Sequence, residues 1–227
     1  MPLLRSLPDQ PVMRDLYKSQ PASCKPLGEL TEVAMRGPSP FTQGERELIA
    51  AYVSGLNACN YSHTTHAGVA AAFGVEPDLF NVLLTDIDLA PIEYRMKPIL
   101  RYARKLTLSP ARMTEADATA LYEAGWGDDA LYSTVLVTAL FNFYNRLVDG
   151  VGLALPEGYV AEAANGFRHK AMTSLPKSQK RNGKNDNPRG ASSKRLDRPD
   201  SYSTQAIRSP DAPIADIRCR AVILCCQ

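Results

Sequence analysis

Between Thr42 and Gly152 the apolar residues recur at helical spacing, and no alternating strand pattern runs longer than a few residues. A chain without a strand signal buries its apolar stripes by packing helix on helix. The helix signals are well marked. Thr42 can cap, with Glu45 three residues on as a capping box, ahead of a stripe of Leu48, Ile49, Tyr52, Val53 and Leu56. Gly55 reads as a stop, and Asn57 as the cap of a helix that restarts at once and runs to Phe73. Glu76-Pro77-Asp78 opens a short helix through Leu84. Residues 93–106 read as helical, with Pro98 either kinking the helix or lying in its first turn. Thr114 to Asp117 caps a helix ending at Gly125, and Asp128-Asp129 opens a long one through Val148, closed by Gly150 and Gly152. Upstream, residues 1–40 are punctuated by proline, with short helices expected over 11–19 and 27–36. The body is expected to be all-α.

Length and charge divide the chain into parts. Its 227 residues, 44% of them hydrophobic, suffice for one domain with a real core. The net charge of +2 hides an asymmetry: residues 167–227 hold 13 Lys+Arg against 5 Asp+Glu. The reading is an N-terminal helical segment over 1–40 packed on the domain, a helical domain over 41–166, and a basic, low-complexity, disordered tail over 167–227. The stretch 177–213 is rich in Lys, Arg, Asn, Ser, Pro and Gly, and Tyr202 stands alone, so base stacking has no support and no nucleic acid is expected as partner. No run of 18 apolar residues exists, so no membrane partner is expected. The opening eight residues are too short an apolar run for a signal peptide, and cysteines 24, 59, 219, 225 and 226 have no disulfide-scaffold spacing. A reducing, cytoplasmic location is the plain expectation.

The chemistry concentrates in Cys59-Asn60-Tyr61-Ser62-His63-Thr64-Thr65-His66. On a helix, positions 59, 62 and 66 fall within about 60° of one another, so a thiol, a hydroxyl and an imidazole share one face. Cys59 is expected in the first turn, where backbone N–H groups and the helix dipole favour a thiolate. Two antiparallel helices joined near Gly55 place Glu47 at about the level of His66, and a carboxylate facing an imidazole fixes its tautomer and raises its basicity. His66 is one turn from Ser62, roughly 6 Å along the axis, and two turns from Cys59, roughly 10 Å. His63, four residues on from Cys59, is its nearest base in sequence, though a solvated surface position suits it better; Tyr61 reads as packing. The ligand set of His63, His66 and one cysteine is thin for a metal. Trp126, Tyr132, Phe141, Phe143 and Tyr144 read as core or subunit contact, and Cys24 as structural.

Glu47, then Cys59, Tyr61, Ser62 and His66, resemble the Glu…Cys-x-x-Cys-x-x-x-His pattern of the carboxymuconolactone decarboxylase-like superfamily, with the second cysteine replaced. The likeness is to its alkylhydroperoxidase D-like, peroxidase-related branch. Residues 2–8, 101–107, 121–126 and 141–149 also resemble that branch, and the likeness covers residues 1–160. It implies an alkylhydroperoxidase D-like helical bundle assembled as a homo-oligomer, a trimer or hexamer. It further implies a peroxidase or disulfide reductant whose cysteine pair is tuned by a histidine and a glutamate, with no organic or metal cofactor. Serine cannot form a sulfenic acid or a disulfide, so the two-cysteine cycle is closed to this helix.

Three readings stay open. In the first, a peroxiredoxin-type antioxidant enzyme reduces a hydroperoxide through Cys59; Glu47 and His66 form the relay, Ser62 carries a proton between His66 and the thiol, and an external thiol is the reductant. His63 and Tyr61 are accessory candidates. In the second, Ser62, His66 and Glu47 perform cofactor-free acid–base chemistry on a small carbonyl or lactone substrate, of the decarboxylase kind. In the third, the site has decayed and the protein is an oligomeric scaffold with a basic docking tail.

Overall fold

A computed structural model describes residues 2–174, with side chains through 166. Among these residues the architecture is all helix: α1 (Met13–Ser19), α2 (Pro21–Arg36), α3 (Gln43–Leu56), α4 (Asn60–Ala72), α5 (Leu79–Thr85), α6 (Met96–Leu108), α7 (Glu115–Glu123), α8 (Asp128–Val151) and α9 (Tyr159–Ser174), with single 3₁₀ turns at 87–89 and 110–112. The central element is α3. Its residues 46–54 are all buried, and it packs against α4, α8, α6, α5 and α2. Ile49, Tyr52 and Val53 from α3 meet Leu83, Ile99, Leu100, Val137 and Phe141 from α5, α6 and α8 in the core. Each such side chain contributes roughly 1.5–3 kcal/mol of transfer free energy when taken out of water.

The Thr42 capping box forms, with Glu45 N donating to Thr42 Oγ1 at 3.1 Å and Thr42 N donating to Glu45 Oε2 at 2.7 Å. Thr114 and Asp117 start α7 in the same way, Thr114 N donating to Asp117 Oδ2 at 2.7 Å. Pro98 is the third residue of α6, where its missing N–H has no intrahelical partner to lose. α8 runs to Val151, three residues beyond the expected Val148, and is capped by Gly152 in the left-handed region, φ +72°.

The α3–α4 corner departs from the sequence reading. Gly55 stays inside α3, and the chain reverses at Asn57-Ala58, with Ala58 at φ +54°. What Gly55 supplies is room: a Cβ there would lie 2.9 Å from Leu84 Cδ1 and 3.0 Å from His63 Nδ1. Asn57 therefore closes α3 and does not open α4, whose N-cap is Cys59. The Asn57 side chain pins this corner to α8, Nδ2 donating to Asn145 Oδ1 at 2.8 Å and to Asn142 Oδ1 at 3.1 Å, while Asn145 Nδ2 donates to Ser54 Oγ.

Two further departures lie at the ends. α2 begins at Pro21, six residues before the expected start, with that proline at its first position and Pro26 in its second turn. α9 has no counterpart among the expected helices, and it carries helix to Ser174, into the segment read as tail. It packs on α4, where Gly68 makes the approach feasible, since a Cβ there would sit 2.3 Å from Val160 Cγ1. The remainder of the expected disordered tail lies outside the described residues. Among the described residues no helix is long and apolar enough to cross a membrane. Of the α8 aromatics, Phe141 and Tyr144 are buried, with Trp126 just upstream, whereas Tyr132 and Phe143 stand exposed on the outer face.

Candidate functional site

Glu47 is 0% exposed at the middle of α3, and a buried carboxylate needs partners for its charge. It has two. One oxygen accepts from Arg36 Nη2 at the end of α2, and the other accepts from His66 Nδ1 on α4 at 2.6 Å. With Nδ1–H donating, the neutral ring keeps its lone pair on Nε2, the nitrogen left for chemistry. The ring is fixed edge-on to Phe141, centroids 4.5 Å apart, and its side chain keeps 20% exposure. Burial alone pushes the Glu47 carboxyl up, but the charges and hydrogen bonds of His66 and Arg36 outweigh it and hold the group below the usual carboxylate range. The Glu47 carboxylate, held by Arg36 on its other oxygen, thus faces the imidazole in its ionised form at neutral pH.

Cys59 lies at the entry of the same α4, one position before its first turn. The sulfur is fully buried, packed among Tyr61, Val148, Met13, Leu153, Leu155 and Tyr159. Its Sγ–H donates to Asp149 Oδ1 at 3.3 Å, and that aspartate is exposed at the end of α8. The expectation of a thiolate favoured by the helix start is overturned. Burial pushes the thiol up; the N–H and hydroxyl of Ser62 pull it down, less strongly, and Asp149 pushes it up again. Desolvation and a neighbouring negative charge both disfavour the anion, and they exceed what two donors and a helix start provide.

Ser62 is buried one turn before His66, with its hydroxyl toward the sulfur. His63 is half-buried and turned away from Cys59: its Nδ1 donates to the Ala51 carbonyl at 2.9 Å and its ring stands edge-on to Phe80. That bond ties α4 to α3. Tyr61 packs, its hydroxyl accepting from Met13 N at 3.0 Å and donating to Tyr159 Oη at 2.8 Å, while burial and Tyr159 push its ionisation above the ordinary tyrosine range. Among the described residues no three His, Cys, Asp or Glu side chains gather as a metal ion would require. The structure therefore brings Glu47 to His66 and Ser62 to Cys59, and it turns His63 and Tyr61 to structural partners. Sequence reasoning missed Arg36 and Asp149. Asp149 closes the 141–149 segment singled out above, yet nothing local says that it meets Cys59, ninety residues earlier.

No family model matches the chain, and no curated protein matches it. Solved structures do. An uncharacterized peroxidase-related protein from Silicibacter sp. TM1040 is 26% identical over 65% of this chain and 77% of its own, with a TM-score of 0.61. An alkylhydroperoxidase AhpD core, an uncharacterized peroxidase-related protein from Ralstonia eutropha JMP134, is 23% identical over 66% of this chain and 79% of its own, also at 0.61. A protein of unknown function from Agrobacterium tumefaciens, described as a candidate antioxidant defence protein AhpD, is 16% identical over 63% of this chain and 97% of its own, at 0.53; at that identity, as at 23%, the likeness is one of fold. The resemblance to peroxidase-related, alkylhydroperoxidase D-like proteins read from the sequence holds: these solved structures share the helical fold of this chain.

Proposed function

We propose that the chain is a peroxidase-related oxidoreductase that reduces a hydroperoxide through Cys59, acting as a homo-oligomer in the cytoplasm with a thiol as outside reductant. The observation that carries this reading is a single helix, α4, that presents a thiol at its entry, a hydroxyl one turn on, and an imidazole held by a buried carboxylate at 2.6 Å. The sulfur attacks the distal peroxide oxygen, the S–O bond forms as the O–O bond breaks, and the thiol gives up its proton. His66, held by Glu47 and taking up a proton at Nε2 from water, passes it through Ser62 to the departing oxygen, so the products are Cys59 sulfenic acid and an alcohol or water. Two equivalents of the outside thiol then return the sulfenic acid to the thiol, releasing a disulfide and water.

Turnover of tert-butyl hydroperoxide with dithiothreitol, in wild type and Cys59→Ser, tests the reading. Turnover is expected to vanish with the sulfur. A Cys59→Ser variant that consumes peroxide at the wild-type rate overturns it.

One observation favours a second reading. Cys59 is sealed and its thiol is pushed up, whereas His66 keeps exposure and a free ring nitrogen. Those facts support cofactor-free acid–base chemistry by His66 and Glu47 on a small carbonyl or lactone substrate. Activity of that kind survives Cys59→Ser and is lost in His66→Ala.

A further inference from the structure

The Cys59 thiol is buried and unionised, so an attack through it requires something to take its proton as the new bond forms. The groups packed around the sulfur narrow the choice. From α4, Tyr61 is occupied by Met13 N and by Tyr159 of α9, and both are phenols, poor proton acceptors at neutral pH. His63 is turned to the Ala51 carbonyl. Ser62 offers donors, its N–H and its hydroxyl, which help a thiolate once formed. Arg146, one turn earlier on α8, points back to the carbonyl and side chain of Asn142. The carboxylate of Asp149 is the group that already receives the S–H, at 3.3 Å. That carboxylate is exposed, so a proton passed to it is one step from solvent.

We infer that Asp149 is a catalytic residue: the general base to which Cys59 passes its proton during attack. This deepens the reading of Cys59 as the attacking group and rests on it. The balance is simple. As Sγ bonds the distal peroxide oxygen and the O–O bond breaks, the S–H proton moves to Asp149 Oδ1; the leaving oxygen takes a proton that His66 Nε2 has drawn from water, and Asp149 releases its own to water, so the count closes. The arrangement also assigns separate tasks to the two carboxylates. Glu47 serves the imidazole and the leaving group, and Asp149 serves the sulfur. A resting thiol guarded in this way stays protonated until an electrophile arrives.

The test uses alkylation and no peroxide, so its outcome is independent of whether peroxide is the substrate. Iodoacetamide labelling of Cys59 is followed on its own peptide by mass spectrometry, from pH 5.5 to 9.5, in wild type, Asp149→Asn and Asp149→Glu. A free thiol's rate falls tenfold per pH unit below its ionisation. A thiol assisted by a carboxylate keeps a pH-independent arm between about pH 5.5 and 7.5, above the ordinary carboxylate range and below that of a thiol. Wild type is expected to show that arm. Asp149→Asn is expected to lose it and to fall ~100-fold behind at pH 6, the low end of what general acid–base catalysis contributes, while Asp149→Glu keeps part of it. A wild-type rate that falls tenfold per unit throughout, or an Asp149→Asn variant as fast as wild type at pH 6, overturns the assignment. Should Asp149→Asn not fold, the presence or absence of the wild-type arm decides. An arm present without peroxide turnover leaves Asp149 as base and removes the peroxidase reading.

Discussion

Glu47 meets His66 across the α3–α4 hairpin at 2.6 Å from a position with no exposure, while Arg36 holds its other oxygen. A fully buried carboxylate between two nitrogen donors is tolerated because both of its oxygens are answered. Removing one partner leaves the charge uncompensated, which typically costs about 3–5 kcal/mol for a buried pair. Arg36→Met is therefore expected to lower unfolding free energy by about that amount, and Arg36→Lys by less, since an ammonium keeps the charge but loses the planar fork. Urea titrations of the two variants check the order. Equal stabilities for the two substitutions would show that the charge does not matter there.

Much of this site can be read from the chain, and the missing parts share a physical reason. Glu47 and His66 lie on two adjacent helices joined by a tight corner, so helical counting predicts their level. The capping boxes at Thr42 and Thr114 and the close of α8 near Gly152 are equally local. Arg36 and Asp149 belong to elements whose placement is set by tertiary packing, α2 against α3 and α8 against α4, and no periodicity reveals it. The error at Gly55 is instructive. A glycine near a helix end reads as a stop, but here it serves the close approach of Leu84 and His63. The same blindness hides α9, whose contact on α4 depends on the missing side chain of Gly68.

Acid should act on the Glu47 charge. Its folded pKa lies below the ordinary 4.5, because His66 and Arg36 outweigh the burial that would raise it. A group with a depressed folded pKa stabilises the fold fully above its unfolded value and loses that contribution as pH falls through the folded value. Wild-type stability should therefore decline on acidification below about pH 4.5, while Glu47→Gln, which does not titrate, should show a shallower slope in that window. Unfolding free energies measured by urea at intervals from pH 6 to pH 3 give both slopes. Parallel curves would mean that Glu47 titrates alike in the folded and unfolded chain.

Gly68→Ala should loosen α9 from α4. The added Cβ would lie 2.3 Å from Val160 Cγ1, far inside contact distance. Overpacking of this kind costs about 1–3 kcal/mol. Val160→Ala removes the obstructing methyl, so the double variant should be more stable than Gly68→Ala alone, with a coupling of ~0.5–3 kcal/mol. Thermal melts of the two single variants and the double variant complete the cycle. Simple additivity would place the α4–α9 contact elsewhere.

Ser62→Cys should convert the site to a two-cysteine one. Ser62 is three residues from Cys59 at the helix entry, and its N–H and hydroxyl both act on the Cys59 sulfur. Residues at that spacing have Cα atoms ~5 Å apart, inside the roughly 4.4–6.8 Å that a disulfide spans. A thiol at position 62 also sits one turn from His66, nearer the imidazole than Cys59 is. Adding one equivalent of peroxide to Ser62→Cys should therefore yield a disulfide between Cys59 and the introduced thiol, seen as a loss of two mass units in the peptide that holds both. Turnover with dithiothreitol should rise at least ~10-fold, because the resolving step becomes intramolecular. If the peptide instead gains oxygen without losing hydrogen, the two side chains do not meet. In that case the serine is not a simple stand-in for the second cysteine, and the corner has been reshaped around the Cys59–Asp149 hydrogen bond.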